Sequence, residues 1–339
     1  MSSLQYPWPE MPAPGATTEV APGVRWLSMP LPFQLDHINL WLLEDGEGWT
    51  IVDCGIGNAE TRALWEKLFL EMRSAKRVVL THYHPDHAGN AAWLCKRFGA
   101  GLWTTQGEYL TAHAVRSSAA GYTTEAVLAV FRKNGLDEAR QKSMGAIRGN
   151  NRYGELVPDF PLSYHRIIEG DRIRIGGREW RAIVGHGHAP EHLSLYCEAL
   201  NVVIAGDMLL STISTNVSVW SIDPEGDPLR LFLDSIACYR ELPADILVLP
   251  SHGKPFRGAH ARVRQLEDHH QGRFAELLQA LHEPKSAGEL LGVLFRRPLD
   301  AHQTFFAMGE AIAHLHYLYY AGRASRNEGP DGIMRYAAL

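Results

Sequence analysis

The chain has 339 residues, of which 45% are hydrophobic and 21% charged, with a net charge of -5 when histidines are neutral. That length holds one large core, or one core with a small accessory domain, and the composition excludes the disordered and collagen-like classes. An acidic total argues against general nucleic-acid binding and leaves room only for a local basic patch.

Met1 to Pro14 carry Pro, Trp and acid without the basic and apolar regions of a secretory leader, so residues 1–19 read as an N-terminal extension and the expected location is cytoplasmic. Short strands are expected at Val24–Ser28, Ile38–Glu44, Trp49–Asp53 and Arg77–Thr81, with turns such as Asp45-Gly46 between them. Leu64, Leu68 and Met72 share one face of a helix over Ala59–Arg73, and the alternation of strand and helix predicts a layered α/β domain. A second helix spans Ala88–Phe98 and ends at Gly99, followed by a strand at Gly101–Thr104. Residues 106–162 carry helical patterns and no strand signal, which predicts a helical insertion over the domain. Strands return at Asp171–Ile175, Glu179–Val184, Leu193–Cys197, Val202–Gly206 and Ile246–Pro250, with a helix at Leu229–Arg240. The main domain therefore covers residues 20–257. From Gly258 the pattern is helical throughout, at His260–His282, Ser286–Phe295 and His302–Tyr320, so 258–339 read as a separate helical domain. The longest apolar runs are of strand length, short of the roughly 20 residues a membrane helix needs, and no membrane partner is expected.

The 17 histidines matter only where they cluster. His82-Tyr83-His84-Pro85-Asp86-His87 places four ligand-type side chains within six positions at the end of a predicted strand. His82 and His84, two apart on a strand, project to one side and can share a metal, while Asp86 and His87, past Pro85, begin the next helix and can reach a second ion. A mixed imidazole and carboxylate set suits zinc and also accepts iron or manganese. Three more polar runs follow predicted strands: Gly185-His186-Gly187-His188, Gly206-Asp207 and Ser251-His252-Gly253. The four cysteines, Cys54, Cys95, Cys197 and Cys238, form no CxxC pair and read as buried free thiols.

Taken in order, Asp53-Cys54-Gly55, HYHPDH, His188-Ala189-Pro190-Glu191-His192, Gly206-Asp207 and Ser251-His252-Gly253 resemble the five motifs of the metallo-β-lactamase superfamily, over residues 20 to 256. The resemblance implies an αββα sandwich of two mixed β-sheets flanked by helices. It implies that His82, His84 and His188 hold one metal, that Asp86, His87 and His252 hold the other, and that Asp207 bridges them. Asp53 would steady a histidine ligand from behind. Cys54 stands where the family has Thr or Ser and reads as a small buried thiol. His186 falls outside the frame and reads as a loop histidine, with an alternative ligand role left open. The tail resembles the winged-helix domain of some lactamase-like hydrolases; the adjacent His269 and His270 point apart on their helix and read as a solvated face.

Two zinc ions, with iron or manganese as alternatives, would lower the pKa of a bridging water from about 15.7 toward 7. The expected function is therefore a hydrolase in which that hydroxide attacks an acyl carbonyl, of a thioester or lactone, and Asp86 or Asp207 accepts and returns the proton. Tyr83, Tyr122, Tyr153 and Trp220 are pocket-wall candidates that read first as packing. Phosphodiester or RNA cleavage ranks second, on the basic strip Lys254, Arg257, Arg262 and Arg264. Antibiotic hydrolysis ranks lower. Oxygen chemistry at a single iron, as in sulfur dioxygenases, is a third reading, disfavoured by the full second ligand set. The expected partner is a small acyl molecule, with nucleic acid behind it and self-association left open.

Overall fold

Alternating apolar residues give each short strand one face for each of two cores. The computed structural model describes residues 4–33, 35–119, 121–148 and 152–339. Within these residues the pattern yields two large mixed sheets. The first is formed, in chain order, by β1 (Thr17–Ala21), β2 (Val24–Pro30), β3 (His37–Asp45), β4 (Gly48–Val52), β5 (Ala75–Val79), β6 (Gly101–Thr104) and β7 (His165–Arg166). Its pairings are antiparallel up to β4 and parallel from β4 onward. The second comprises β8 (Arg172–Ile175), β9 (Arg178–Gly185), β10 (His192–Cys197), β11 (Val202–Gly206), β12 (Leu247–Pro250) and β13 (Phe256–Arg257), again in sequential order and antiparallel except for the β11–β12 pair.

Strand β3 shows how one sequence serves both cores. Ile38, Leu40 and Leu42 face outward, in a cluster with Trp65 of helix α1 (Ala59–Leu68) and, beyond the short α2 (Pro85–Ala88), Leu94 of α3 (Ala91–Phe98). Trp41 and Leu43 face the other way, meeting Trp180, Leu193, Leu195 and Leu249 of the second sheet. All these side chains are buried, and burial at roughly 2 kcal/mol each is what holds the layers together. One polar residue crosses the seam. Asn39 accepts from Trp26 Nε1 at 2.7 Å and donates to the carbonyls of Pro250 and Gly253 at 2.8 and 2.7 Å, which fixes the end of β12 against β3.

The expected strands are present, most within a residue or two of their predicted ends. Strands β1, β7 and β13 were missed: β1 has little buried surface, and β7 and β13 are two residues each. The helix expected over Ala88–Phe98 is broken at Asn90, whose amide turns out of the helix to donate to the Ile56 carbonyl at 2.7 Å. After α4 (Gln106–Arg116) come α5 (Thr124–Lys133), α6 (Glu138–Arg148) and α7 (Arg152–Leu156), so the stretch expected to be a helical insertion is helical. No helix among the described residues is long and apolar enough to cross a membrane.

The chain forms two compact units. One holds both sheets, in residues up to 116, 153–215 and 235–263; the other is made of 117–152, 216–234 and 264–339. The second unit contains α5, α6, most of α9 (Ala259–Ala280), α10 (Ala287–Leu294) and α11 (Ala301–Tyr320), and α8 (Pro228–Ala237) begins in it. Within it the Phe131 ring of α5 packs edge-on against Phe305 of α11 at 5.7 Å, and Trp220 lies 5.1 Å from the same ring. Ser286 and Glu289 cap α10 reciprocally, and Asp300 with Gln303 does the same for α11.

Two expectations for the tail are corrected. It is not helical throughout: after Tyr320 the chain forms an antiparallel hairpin of β14 (Ala324–Glu328) and β15 (Met334–Ala338). The strand signal is faint because only Ala324 and Tyr336 of the two strands are buried. Nor is His270 solvated. It is 1% exposed and lies 3.1 Å from His314 beside Phe274, whereas His269 is exposed.

In the same cluster Glu310 takes a hydrogen bond from Asn216 Nδ2 at 3.2 Å, and burial pushes its carboxyl up to about 7 in spite of that bond. An unfolded glutamate ionises near 4.3. Between these values the unfolded chain loses its proton first, so stability declines as pH rises through that window and levels off above about 7. Thermal melts at pH 5 and pH 8 should show a larger decline in the native protein than in Glu310→Gln, which keeps only the decline due to other buried acids such as Glu108; equal declines would refute the assignment.

Candidate metal centre

In each large sheet, strands pointing the same way end at one edge, and the polar runs sit just beyond those ends. Asp53 follows β4, the His82–His87 run follows β5, His188 follows β9, Asp207 follows β11 and His252 follows β12. His82, His87, His188, Asp207 and His252 are all buried. The structure brings the seven expected ligand residues into two groups, His82 with His84, His188 and Asp207, and Asp86 with His87 and His252. Within each group the donor atoms lie within 4.8 Å of one another.

In the first group His82 Nε2 is 2.9 Å from His84 Nδ1 and 3.2 Å from His188 Nε2. In the second, Asp86 Oδ2 is 3.7 Å from His87 Nε2 and 3.4 Å from His252 Nε2. Asp207 serves both. Its Oδ2 lies 3.4 Å from His188 Nε2, and its Oδ1 lies 3.7 and 3.6 Å from the Nε2 atoms of His87 and His252.

What aims these rings lies behind them. Asp53 Oδ2 takes His87 Nδ1 at 2.8 Å, which leaves His87 Nε2 facing Asp86 and Asp207. The same carboxylate accepts from Thr81 N at 2.8 Å and from the Thr81 hydroxyl. Asp53 holds this position at φ 63°, in the left-handed region that costs a non-glycine residue on the order of 1 kcal/mol. His252 Nδ1 donates to the His37 carbonyl at 2.9 Å, so its Nε2 also faces the carboxylates. His192 is buried, and its Nε2 accepts from the backbone N–H of Asp207 at 3.0 Å. The close approach requires Gly206, since a Cβ there would sit 2.4 Å from His192 Nε2.

The electrostatics separate the groups. Burial, with neighbouring imidazoles added, depresses His82 strongly and takes His84 down to about 3, so these two rings are neutral, as ligands must be. Burial alone would raise Asp86 and Asp207, but the histidines around them outweigh it and hold Asp86 at about 2 and Asp207 well below the usual carboxylate range. Burial would lower His87, yet Asp53, Asp86 and Asp207 drive it up to about 10, and Asp207 with Asp86 raises His252 in the same way. The second group thus calls for positive charge. His87 Nε2 and Asp207 Oδ1 are buried without a hydrogen-bond partner, which is costly unless something else meets them. A nitrogen and oxygen donor set with two buried, unpartnered atoms turned inward fits divalent ions of the zinc, manganese or iron type.

The remaining expected residues fall as follows. His186 is exposed, with Nδ1 2.6 Å from the Pro190 carbonyl, and it joins neither group. Cys54 and Cys197 are buried free thiols, but Cys95 is only partly buried and Cys238 is exposed, so the expectation of four buried thiols fails for two of them. Tyr83 stacks edge-on to His84 at 4.7 Å and Tyr153 donates to the Tyr83 carbonyl, while Trp220 packs on Phe305 in the other unit. The basic strip is largely spent on internal carbonyls: Lys254 donates to Pro9, Arg257 to Asp245, and Arg262 to Leu210 and Ile213. Sequence reasoning passed over Thr81, His37 and Asn39. A lone Asn in the apolar run Ile38–Leu43 was the available signal.

Comparison with known proteins bears on this site. The model of the metallo-beta-lactamase superfamily matches residues 34–252, and that of the metallo-beta-lactamase-like C-terminal domain matches 274–339. The chain is 46% identical to a beta-lactamase domain protein from Burkholderia ambifaria of known structure, with a TM-score of 0.91 over 99% of this chain and 98% of the other. A metallo-beta-lactamase family protein from Thermus thermophilus gives 30% identity and a TM-score of 0.80 over 95% and 100%. This chain is 26% identical to a protein named "Probable metallo-hydrolase" from Bacillus subtilis, over 89% of its own length and 93% of that protein's. It is 23% identical to an atrochrysone carboxyl ACP thioesterase from Aspergillus fumigatus, over 82% and 75%.

Asp53→Asn offers a direct test of how His87 is aimed. Asparagine tolerates the left-handed backbone and still accepts from Thr81, but its amide N–H faces His87 Nδ1 and forces the ring proton onto Nε2. Zinc affinity, measured against a chromophoric chelator, should drop by about 10- to 100-fold with the circular dichroism spectrum unchanged; an unaltered affinity would contradict this role.

Proposed function

The chain belongs to the metallo-beta-lactamase superfamily and is a hydrolase of that fold, and we propose that it cleaves the acyl bond of a small thioester or lactone at a two-ion centre. His82, His84 and His188 hold one divalent ion, zinc by preference, and Asp86, His87 and His252 hold the second. The observation that carries this reading is Asp207, which presents one carboxylate oxygen to each group. Ions bound there would supply a water acidic enough to ionise near neutral pH and an electrophile for the scissile carbonyl.

The chain's own contributions follow from the geometry. His82 and His84 stay neutral and keep their lone pairs inward. Asp53 and His37 fix the two imidazoles of the second group by their Nδ1 atoms, so that Nε2 of each ring faces the centre. Asp86 and Asp207 are ionised, and one of the two takes up and returns a proton as the acyl bond breaks. The thioesterase among the relatives supports an acyl substrate. The commitment of Lys254, Arg257 and Arg262 to internal carbonyls leaves little for a phosphate backbone.

The metal-replete protein, assayed against acyl thioesters, lactones, phosphodiesters and short RNA, should turn over a thioester or lactone. His84→Ala should lose more than about 100-fold of that activity, beyond the cost of removing an outer partner of a ligand. Turnover confined to RNA, or activity that survives the substitution, would overturn the proposal.

A further inference from the structure

Helix α4 opens with Gln106-Gly107-Glu108, directly after β6. An acid in a first helical turn is ordinarily a solvated partner of the helix dipole. Glu108 is instead 0% exposed, and both its carboxylate oxygens are used outside its own helix. Oε2 accepts the backbone N–H of Tyr83 at 2.9 Å, and Oε1 accepts the backbone N–H of Glu191 at 2.7 Å. Tyr83 lies between His82 and His84. Glu191 lies between His188 and His192. One buried side chain therefore joins the two loops that deliver all three histidines of the first group.

The link is reciprocal. Glu191 Oε2 accepts from the N–H of Gly107 at 2.7 Å, and the Glu191 carbonyl accepts from the Thr105 hydroxyl at 2.7 Å. Gly107 leaves room for this approach, because a Cβ there would stand 3.0 Å from Glu191 Cδ and press on that side chain. The second group has other supports. Its His87 is held by Asp53 and its His252 by His37.

We propose that Glu108 is a positioning residue specific to the first ion, clamping the His82–His84 and His188–His192 loops at the spacing their shared ion requires. The inference rests on the two-ion reading and adds a claim that reading does not make, namely that the two ions are held by separable supports. Only an acceptor at both oxygens satisfies the two loop amides. Glutamine supplies one acceptor and sets an N–H against the other amide, so one loop is released and the donor atoms of the first group spread.

The test is zinc binding by competition with a chromophoric chelator, together with the melting temperature. The native protein should take up two ions in resolvable steps. In Glu108→Gln one step should weaken by about 10- to 100-fold while the other stays within about threefold. A merely structural role would lower the melting temperature and weaken both steps together, and that result overturns the proposal, as does a variant in which neither step moves. If Glu108→Gln does not fold, Thr105→Val, which removes the hydroxyl from the Glu191 carbonyl and leaves Glu108 in place, should show the same one-sided weakening at smaller size; an unmoved isotherm there counts against the clamp. A native protein that binds one ion or none contradicts the two-ion reading itself, whereas two ions with an indifferent Glu108→Gln contradicts only the clamp.

Discussion

Five histidines and two aspartates have their donor atoms packed together inside the protein, with ring nitrogens as close as 2.9 Å. Such an arrangement is unfavourable by itself: lone pairs and negative charge are removed from water, and the imidazoles cannot all satisfy one another. The fold answers with geometry. Each donor sits just past the end of a strand in one of two sheets locked by a shared apolar core, so its backbone position is set by burial of residues such as Trp41, Trp180 and Leu195. Asn39, tied to both sheets, carries that rigidity to the His252 turn.

Ring orientation is a separate matter, and it is met by hydrogen bonds from behind. His87 and His252 each have an Nδ1 partner, Asp53 and the His37 carbonyl, and both then present Nε2 to Asp86 and Asp207. In the first group His82 Nδ1 meets the Thr81 hydroxyl at 3.1 Å, and Glu108 joins the two loops. Asp207 is positioned through its backbone by His192. The charge pattern follows a similar division: His82 and His84 are held neutral in one group, while the carboxylates raise His87 and His252 in the other.

Much of this was legible in the sequence. The His82–His87 run is dense enough to stand out, and the placement of His188, Asp207 and His252 after predicted strands put them at one edge before any coordinates. The sandwich followed from the strand and helix alternation together with the family resemblance. What escaped has a common physical character. Asn39, Glu108 and Glu191 act through backbone amides and carbonyls distant in sequence, and Thr81 through the distant Asp53 carboxylate; a residue type carries no mark of such a partner. The hairpin after Tyr320 was missed because its strands bury so little, and His270 was misplaced because burial on a helix depends on what packs against it. The helices of 117–152 belong to the unit that contains the tail, a grouping made by long-range contacts such as Phe131 with Phe305 and invisible to local periodicity.

The central claim is that one carboxylate, Asp207, serves two ions at once. Metal content and stepwise zinc affinity of the native protein and Asp207→Asn test it most directly. The account predicts two ions per native chain and weakening of both steps in the variant, because each oxygen faces a different group. A single equivalent of iron without zinc in the native protein, or a variant in which only one step weakens, would contradict it.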